Sequence, residues 1–269
     1  MSAGLNLPSV FMGELSNRHV EQYLEQNDLV LVPTGSTEQH GPHSPLATDV
    51  LIPQEICRRV ALTRGGLVAP PISFGISDAH VGFKGLIYLQ VRTFMSVVED
   101  VCFSLAEAGF RKIYFVNGHW SNTGAIELAC HAVERQLPRG TLACPVTYWI
   151  GMPPEQAEEY LGLRVGVHAN IGETSAVMAI NPKLVDLRQA VREMPELPPF
   201  EGPALSAMAS YFETGVGRIK RATRSGVYGD PRESSAERGE TYLAQATEAV
   251  LKVLRDTEAM FGRFGSAEL

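Results

Sequence analysis

Four apolar segments of strand length, separated by stretches of helix length, constrain the fold of this chain more than any other feature of its sequence. The apolar segments cover residues 28–36, 67–75, 112–118 and 142–149. The intervening stretches with helical character cover residues 48–62, 93–109 and 122–136. Strands that are apolar along their whole length and alternate with helices are typical of a parallel sheet covered on both faces. The sequence therefore predicts an α/β fold, a three-layer αβα sandwich with a mainly parallel central sheet.

The rest of the chain is predicted to complete one domain that spans residues 1–269. With 269 residues, of which 45% are hydrophobic, the chain can bury a sizeable core. Residues 183–238 are rich in proline, glycine and charge, and we expect them to form long surface loops. Apolar residues recur at helical spacing over 239–260, which predicts a final helix that packs on the sheet.

Charge and cysteine content restrict the partners and the compartment that we expect. The formal net charge is -7, so no general attraction to nucleic acid or to anionic membranes is expected, and a small-molecule substrate fits better. The four cysteines lie far apart in apolar surroundings, which is typical of buried thiols. Neither a signal-peptide pattern nor an apolar segment of membrane-spanning length is found. These features together predict a cytoplasmic protein.

Polar residues that could bind metal follow the apolar segments. They are Glu38, His40 and Asp49 after the first segment, Asp78 and His80 after the second, Asn117 and His119 after the third, and His168 and Glu173 at the start of a later helical segment. In open α/β sheets, functional sites form beyond the carboxyl ends of the strands. Carboxylates and imidazoles from several strand ends are the ligands of hydrolytic metal sites, where one carboxylate can bridge two ions.

Each of these residues also has a structural interpretation when it is taken alone. A single histidine at a strand end is more often a hydrogen-bonded structural residue than a metal ligand. Asp49 could cap the helix that follows it. However, burying several carboxylates together is unfavourable unless cations or hydrogen bonds compensate their charge. The set as a whole therefore favours a metal site.

Four sequence blocks identify a family resemblance. The blocks are "VPTGSTEQHGPHSPLATD", "SDAHVGFKG", "VNGHWSN" and "HANIGETS". In this order and at these separations they resemble the creatininase (creatinine amidohydrolase) family, and the resemblance extends from "VFMGELS" to "SGVYGDPRESSAERGE". It implies a three-layer αβα sandwich, a homohexamer, and metal-dependent hydrolysis of a C–N bond in a small cyclic or linear amide such as creatinine.

The resemblance also implies a site for two divalent ions. Glu38 and His119 would bind one ion, His40 and Glu173 would bind the other, and Asp49 would bridge them. Zinc and manganese are the expected metals, and iron is compatible with the same nitrogen and oxygen ligands. The crowding of metal-binding side chains after the first apolar segment would then serve to hold two cations.

Proton delivery is the step in which the chain departs from creatinine hydrolases. The resemblance assigns His168 the transfer of a proton to the departing nitrogen. Creatinine hydrolases have a glutamate at the position of Ser121, where it helps to deliver a proton through a water. A serine hydroxyl cannot replace that acid at neutral pH.

The substrate side of the site is predicted to include Trp120, Ser121, Trp149, Arg164 and His80. The two tryptophans correspond to pocket aromatics of the family, and Arg164 falls near the position of another tryptophan. His80, like Asn117, is also interpreted as a support for the loops around the metal site. The structural alternatives are core aromatics for the tryptophans and a solvated surface charge for Arg164.

Because Ser121 replaces the glutamate, three functional hypotheses remain open. The first is a creatininase-like amidohydrolase. The second is a relative that hydrolyses formamides, like a pyrimidine deformylase, or that processes peptides. The third is a metal-binding assembly protein without catalysis; the retention of all the expected ligands disfavours it, because a degenerate site usually loses ligands first.

Overall fold

The central sheet of the protein is entirely parallel. The computed structural model describes residues 7–162, 164–195 and 215–264. The strands of the sheet are β1 (Leu29–Thr34), β2 (Leu67–Val68), β3 (Lys112–Asn117) and β4 (Leu142–Thr147). Their order across the sheet is β2-β1-β3-β4, and all three pairings are parallel. The prediction of a mainly parallel sheet is confirmed.

Helices connect the strands and cover the sheet. The α-helices of the described residues are α1 (Asn17–Leu24), α2 (Thr48–Arg64), α3 (Val91–Ala108), α4 (Thr123–Val133), α5 (Pro154–Tyr160), α6 (Ile171–Ile180), α7 (Arg218–Ala222) and α8 (Ala236–Phe264). The helical stretches predicted from the sequence correspond to α2, α3, α4 and α8. Within the described part of the chain, no helix combines the length and the apolar character needed to cross a membrane.

Alternate residues of the strands supply two separate cores, one on each face of the sheet. On β1, Leu29 and Leu31 pack with residues of α2, α6 and α8, whereas Val30 and Val32 pack with residues of α3 and α4. Successive side chains of a strand point to opposite faces, so each face receives every second residue. All six residues of β1 are consequently buried. Helices thus cover both faces, and the three-layer αβα sandwich is confirmed.

The three longer strands end at the same level. In the parallel register, Thr34 of β1 lies opposite Asn117 of β3, which in turn lies opposite Thr147 of β4. The loops that leave these strand ends therefore start side by side along one edge of the sheet. This is the edge at which ligands bind in open α/β folds.

The interpretation of residues 183–238 as long surface loops is wrong for the part that the structure describes near its end. This part contains α7 and the short strand β6 (Tyr228–Gly229), which pairs antiparallel with β5 (Gly166–His168). Val227, Tyr228 and Ile219 are buried. A two-residue strand is too short to produce a periodic pattern, so the proline, glycine and charge around it dominated the sequence signal. Residues 196–214, on which the same prediction falls, lie outside the described residues.

Two glycines bring the first turn of α2 against the strand ends. Gly35 follows β1 and Gly118 follows β3, and a Cβ atom added to either would overlap the backbone carbonyl oxygen of Asp49. Glycine is therefore required at these two positions by the close approach of another backbone segment. The contact holds Asp49 over the carboxyl ends of the central strands.

Replacing Gly35 by alanine is expected to destabilise the protein by about 2 kcal/mol, because overpacking against a fixed backbone forces the segments apart. Gly124→Ala provides the matched control, since a Cβ at Gly124 in α4 meets no atom within 4 Å. Alanine is preferred to glycine in a helix, so this control should be neutral or stabilise the protein by about 0.5–1 kcal/mol. Chemical denaturation of the three proteins measures both differences. Equal midpoints for Gly35→Ala and the wild type would contradict the close-packing argument.

Candidate metal centre

Five buried side chains that were predicted as metal ligands lie together at the carboxyl edge of the sheet. Glu38 and His40 are in the loop after β1, Asp49 is in the first turn of α2, His119 follows β3, and Glu173 is in the first turn of α6. All five are less than a tenth exposed. The parallel topology is what brings them together, because they come from separate segments that end at one edge.

The two oxygens of Asp49 face different histidines. Its Oδ1 lies 3.1 Å from Nε2 of His40, and its Oδ2 lies 3.0 Å from Nδ1 of His119. Glu38 Oε2 is 3.5 Å from the same nitrogen of His119, and Glu173 Oε1 is 4.0 Å from the same nitrogen of His40. Asp49 is thus shared between one carboxylate–imidazole pair and another, which is the arrangement of a bridging carboxylate. The assignment of these residues as ligands of two ions stays a prediction, with which the distances are compatible.

The hydrogen bonds of the other ring nitrogens of His40 and His119 indicate how each ring is oriented toward Asp49. Nδ1 of His40 lies 3.3 Å from the carbonyl oxygen of Glu38, and Nε2 of His119 lies 2.7 Å from that of Ile76. A carbonyl oxygen only accepts, so these nitrogens carry the ring proton in the neutral tautomer. The opposite nitrogens then direct lone pairs at the oxygens of Asp49. Two acceptors about 3 Å apart repel each other unless a proton or a metal cation lies between them.

The electrostatics of the cluster fit bound cations. Burial lowers the pKa of His40, but Asp49 and the neighbouring carboxylates outweigh burial and raise it to about 9. Burial raises the pKa of Glu173 to about 7, although His40 opposes this shift. Within the described chain, His40 Nε2 and Asp49 Oδ2 are buried without a hydrogen bond of good geometry. Protons and divalent cations therefore compete for the same atoms, and the nitrogen and oxygen donors suit zinc, manganese or iron.

Two further histidines adjoin this cluster. His80 Nε2 lies 3.2 Å from Glu38 Oε1, and His168 Nδ1 lies 3.8 Å from the same oxygen. The ring of His168 is 4.3 Å from that of His40 and 4.7 Å from that of His80, measured between centroids. Burial lowers the pKa of His168 to about 3, so its ring is neutral at pH 7. The geometry is compatible with His168 as a proton acceptor and also as a ligand, because it groups with His40 and Glu173 within metal-binding distance.

The aromatic residues predicted for the substrate side form a stacked pair. The rings of Trp120 and Trp149 lie 6.1 Å apart, with 19° between their planes. Trp149 is buried and also packs edge-on against Tyr148, whereas Trp120 is half-buried in the turn after His119. Ser121 follows Trp120 in the same turn and is half-buried as well. The pair is therefore joined to the loop that carries a predicted ligand.

Arg164 is not part of this cluster. Its side chain is exposed and lines a surface cavity together with Arg192, Asp230 and Glu233. None of the five predicted ligands lines that cavity. The role of Arg164 in substrate binding stays a prediction, without support from its position.

Sequence reasoning assigned no role to three polar residues of the site, Gln39, His43 and Thr174, although His43 stands among the metal-capable side chains of the first block. Gln39 contacts both His80 and His168 through its side chain, and His43 Nε2 lies 2.9 Å from Oγ1 of Thr174. All three residues are buried. The available signal was their position inside the blocks "EQHGPH" and "ETS", directly beside predicted ligands. That position does not reveal their partners, which come from distant parts of the chain.

Comparisons with known proteins place the chain in one family. Residues 13–254 match the family described as creatininase, creatinine amidohydrolase. The creatinine amidohydrolase of Pseudomonas putida is 28% identical over 92% of this chain and 97% of its own length. The mycofactocin precursor peptide peptidase of Mycobacterium tuberculosis is 29% identical over 91% and 92%. The 3-dehydro-scyllo-inosose hydrolase of Thermotoga maritima is 27% identical over 97% and 88%.

Solved structures of creatininases share the fold. A creatinine amidohydrolase (creatininase) superposes with a TM-score of 0.76 at 26% identity, covering 97% of this chain and 100% of that one. A manganese creatininase gives a TM-score of 0.76 at 26% identity over 93% and 98%. A creatininase variant of the zinc–zinc type gives 0.77 at 27% over 93% and 99%. The match to the family spans most of the chain, and the protein belongs to the creatininase (creatinine amidohydrolase) family.

Proposed function

We propose that the protein is a metal-dependent amidohydrolase that holds two divalent ions per chain and hydrolyses a C–N bond in a small cyclic or linear amide. The position of Asp49 carries this proposal, because each of its oxygens lies about 3 Å from a ring nitrogen of a different histidine. Membership of the creatininase family and the similarity to manganese and zinc creatininases support it.

The ligands divide between two ions around Asp49. Glu38 and His119 would hold one ion, and His40 and Glu173 the other. Zinc or manganese, with iron as a third possibility, suits these donors. When bound, such ions polarise an amide carbonyl and lower the pKa of water. The two histidines are buried, and a backbone carbonyl oxygen within hydrogen-bond distance of the other nitrogen holds each ring in its orientation.

His168 is the proposed proton carrier. Its Nε2 lies 2.8 Å from the carbonyl oxygen of Gln39, which fixes the ring proton on that nitrogen. Nδ1 is then unprotonated and points toward Glu38. A neutral imidazole in this position can accept a proton from the attacking water and return it to the amide nitrogen as the C–N bond breaks.

The remaining predicted residues would shape the substrate pocket. The stacked rings of Trp120 and Trp149 suit a flat, partly apolar substrate. Ser121, His80 and Arg164 are proposed as further substrate contacts, and Arg164 has the weakest geometrical support of these. Because Ser121 is not an acid, creatinine is only one of several candidate substrates.

Two relatives with different activities support an alternative substrate. The similar proteins include a creatinine amidohydrolase and a mycofactocin precursor peptide peptidase at nearly equal identity. A formamide hydrolase or a peptide-processing enzyme is therefore the second candidate function. A metal-binding assembly protein without catalysis is the third, and the intact set of ligand-type residues disfavours it.

Metal loading tests the centre. Elemental analysis of protein reconstituted with zinc or manganese is expected to show about two ions per chain, because the five ligand side chains exceed the needs of one tetrahedral site. Chelation should remove the ions together with the hydrolytic activity, and reloading should restore both. Absence of bound metal after reconstitution would remove the basis of the proposal.

A substrate panel tests the reaction. Metal-loaded protein would be incubated with creatinine, hydantoin-like rings, formamides and short peptides. The readout is the ring-opened product for the cyclic amides and the released amine and acid for the linear ones. Protein freed of metal by chelation is the control for each substrate. Hydrolysis of a small amide only by the loaded protein is expected. Two bound ions without turnover of any panel member would instead favour the assembly protein.

We also propose a cytoplasmic homohexamer. Family resemblance supports the assembly, and the cysteines support the compartment, since all four are free thiols and three of them are buried. A hexamer of this 29.3 kDa chain would be recognised by light scattering at micromolar concentration. A monomer under those conditions would contradict the assembly.

A further inference from the structure

The buried amide of Gln39 lies between the two histidines that adjoin the proposed metal centre. Its Nε2 is 3.0 Å from His80 Nδ1, 2.9 Å from His168 Nε2 and 3.1 Å from the carbonyl oxygen of Gly226. Its Oε1 accepts a hydrogen bond of 2.9 Å from the backbone N–H of Gly41. Gln39 is only 5% exposed, so these contacts are not shared with bulk water.

Two backbone groups determine which way the amide points. The N–H of Gly41 can only donate and the carbonyl of Gly226 can only accept, so the side-chain oxygen must face Gly41 and the nitrogen must face Gly226. The absence of a side chain at Gly226 is also required, because a Cβ atom there would overlap Oε1 of Gln39. The two hydrogens of the amide nitrogen are therefore directed at Gly226 and at the imidazoles.

The second hydrogen of the Gln39 side-chain amide has one remaining acceptor, because the ring proton of His168 occupies Nε2 of that ring. The backbone carbonyl oxygen of Gln39 lies 2.8 Å from His168 Nε2 and keeps the ring proton on that nitrogen. Nε2 of His168 therefore cannot accept a hydrogen bond from the Gln39 side-chain amide. The remaining acceptor is Nδ1 of His80. When Nδ1 of His80 accepts this hydrogen bond, the ring proton of His80 lies on Nε2. This nitrogen is 3.2 Å from Glu38 Oε1 and can donate to it.

We propose that Gln39 is a positioning residue whose side-chain amide sets the tautomer of His80 and thereby orients the carboxylate of Glu38. His80 then donates to Oε1 of Glu38, and Oε2 is left on the side of His119, 3.5 Å from its Nδ1. This inference rests on the proposed metal centre, in which Glu38 is a ligand. Hydrogen bonds that orient metal ligands typically change metal affinity 10–100-fold when they are lost.

Two substitutions separate this role from a merely structural one. Gln39→Met keeps the length of the side chain but removes the donor. Gln39→Glu places an acceptor opposite His80 Nδ1, which should put a proton on that nitrogen. His168 is an internal reference in both variants, because a backbone carbonyl fixes its tautomer. Gln136→Met is the matched control, since Gln136 is exposed and distant in sequence from the site.

Nitrogen-15 NMR of the imidazole rings reports the tautomers directly, and the chain has 7 histidines to assign. In zinc-loaded protein we expect His80 with an unprotonated Nδ1 and a protonated Nε2 in the wild type and in Gln136→Met, and a protonated Nδ1 in Gln39→Glu. Zinc titration should show about a tenfold or larger loss of affinity in Gln39→Met, with no change in Gln136→Met. An unchanged His80 tautomer in Gln39→Glu, or unchanged zinc affinity in Gln39→Met, would overturn the inference.

The failure of the inference can be told from the failure of the metal centre. Wild-type protein that binds no zinc would contradict the proposed metal centre. The tautomer of His80, compared between the metal-free wild type and metal-free Gln39→Glu, would still test the positioning role of Gln39. If Gln39→Met does not fold, the comparison of Gln39→Glu with the wild type remains decisive, because it depends on the position of one proton.

Discussion

Asp49→Ala is expected to lose both metal ions together. In the wild type each oxygen of Asp49 faces a different histidine, so removal of this one carboxylate withdraws a ligand from both ions at once. It also removes the negative charge that offsets two divalent cations in a buried site. Elemental analysis after equilibration with zinc should fall from about two equivalents per chain to nearly none, and hydrolysis should be lost with them.

Two further variants make this result specific to a bridging role. Glu173→Gln should lose one ion and keep the other, since Glu173 lies on the side of Asp49 that His40 occupies. Asp186→Ala is the control for removal of a negative charge, because the side chain of Asp186 is 40% exposed and pairs with Arg188 two residues away. The Asp186→Ala protein should bind two ions. Retention of one full equivalent by Asp49→Ala would show that Asp49 does not bridge.

His168→Ala is expected to keep both ions and to reduce turnover by about a hundredfold or more, the usual effect of removing a positioned acid or base. The ring is neutral at pH 7, because burial lowers the pKa of His168 to about 3. Its Nδ1 lies 3.8 Å from Glu38 Oε1, at the margin of the cluster, where it can exchange a proton with a reacting group. Parallel measurements of zinc content and of turnover on the identified substrate test both parts of the expectation.

The control for His168→Ala is His131→Ala, which removes an exposed imidazole from α4 and should change neither quantity. Loss of an ion from His168→Ala would identify His168 as a ligand, a role that its grouping with His40 and Glu173 allows. Near-normal turnover would assign the proton to solvent, or to Ser121 acting through water.

The layered fold was predictable because parallel strands are buried on both faces. β1 is apolar at nearly every position and is fully buried, so its sequence pattern and its environment agree. By contrast, β5 and β6 contain only three and two residues, and their pairing depends on contacts with segments far away in the sequence. No local pattern encodes such a ribbon, and the segment that contains β6 was therefore predicted as a loop.

The types of residue in the site were predictable, but their contacts were not. Carboxylates and imidazoles in one short block indicated a metal site. The orientation of Asp49 toward two histidines depends on the close approach of α2 to Gly35 and Gly118, which is a property of tertiary packing. The bond between Gln39 and Gly226 joins residues that are 187 positions apart, and no motif reports it.

The ribbon formed by β5 and β6 determines which part of the site unfolds first on heating. Asp49 and His119 are anchored to the large cores on the two faces of the sheet, whereas His168 ends a ribbon whose own cluster of buried residues comprises Ala79, Ile219 and Tyr228. Cooperative units with few apolar contacts open at lower free energy than the global unit and exchange their amide hydrogens sooner. Warming should therefore release the imidazole of His168 by local opening while the cation ligands on the sheet are still in place, so that reversible loss of activity precedes loss of metal.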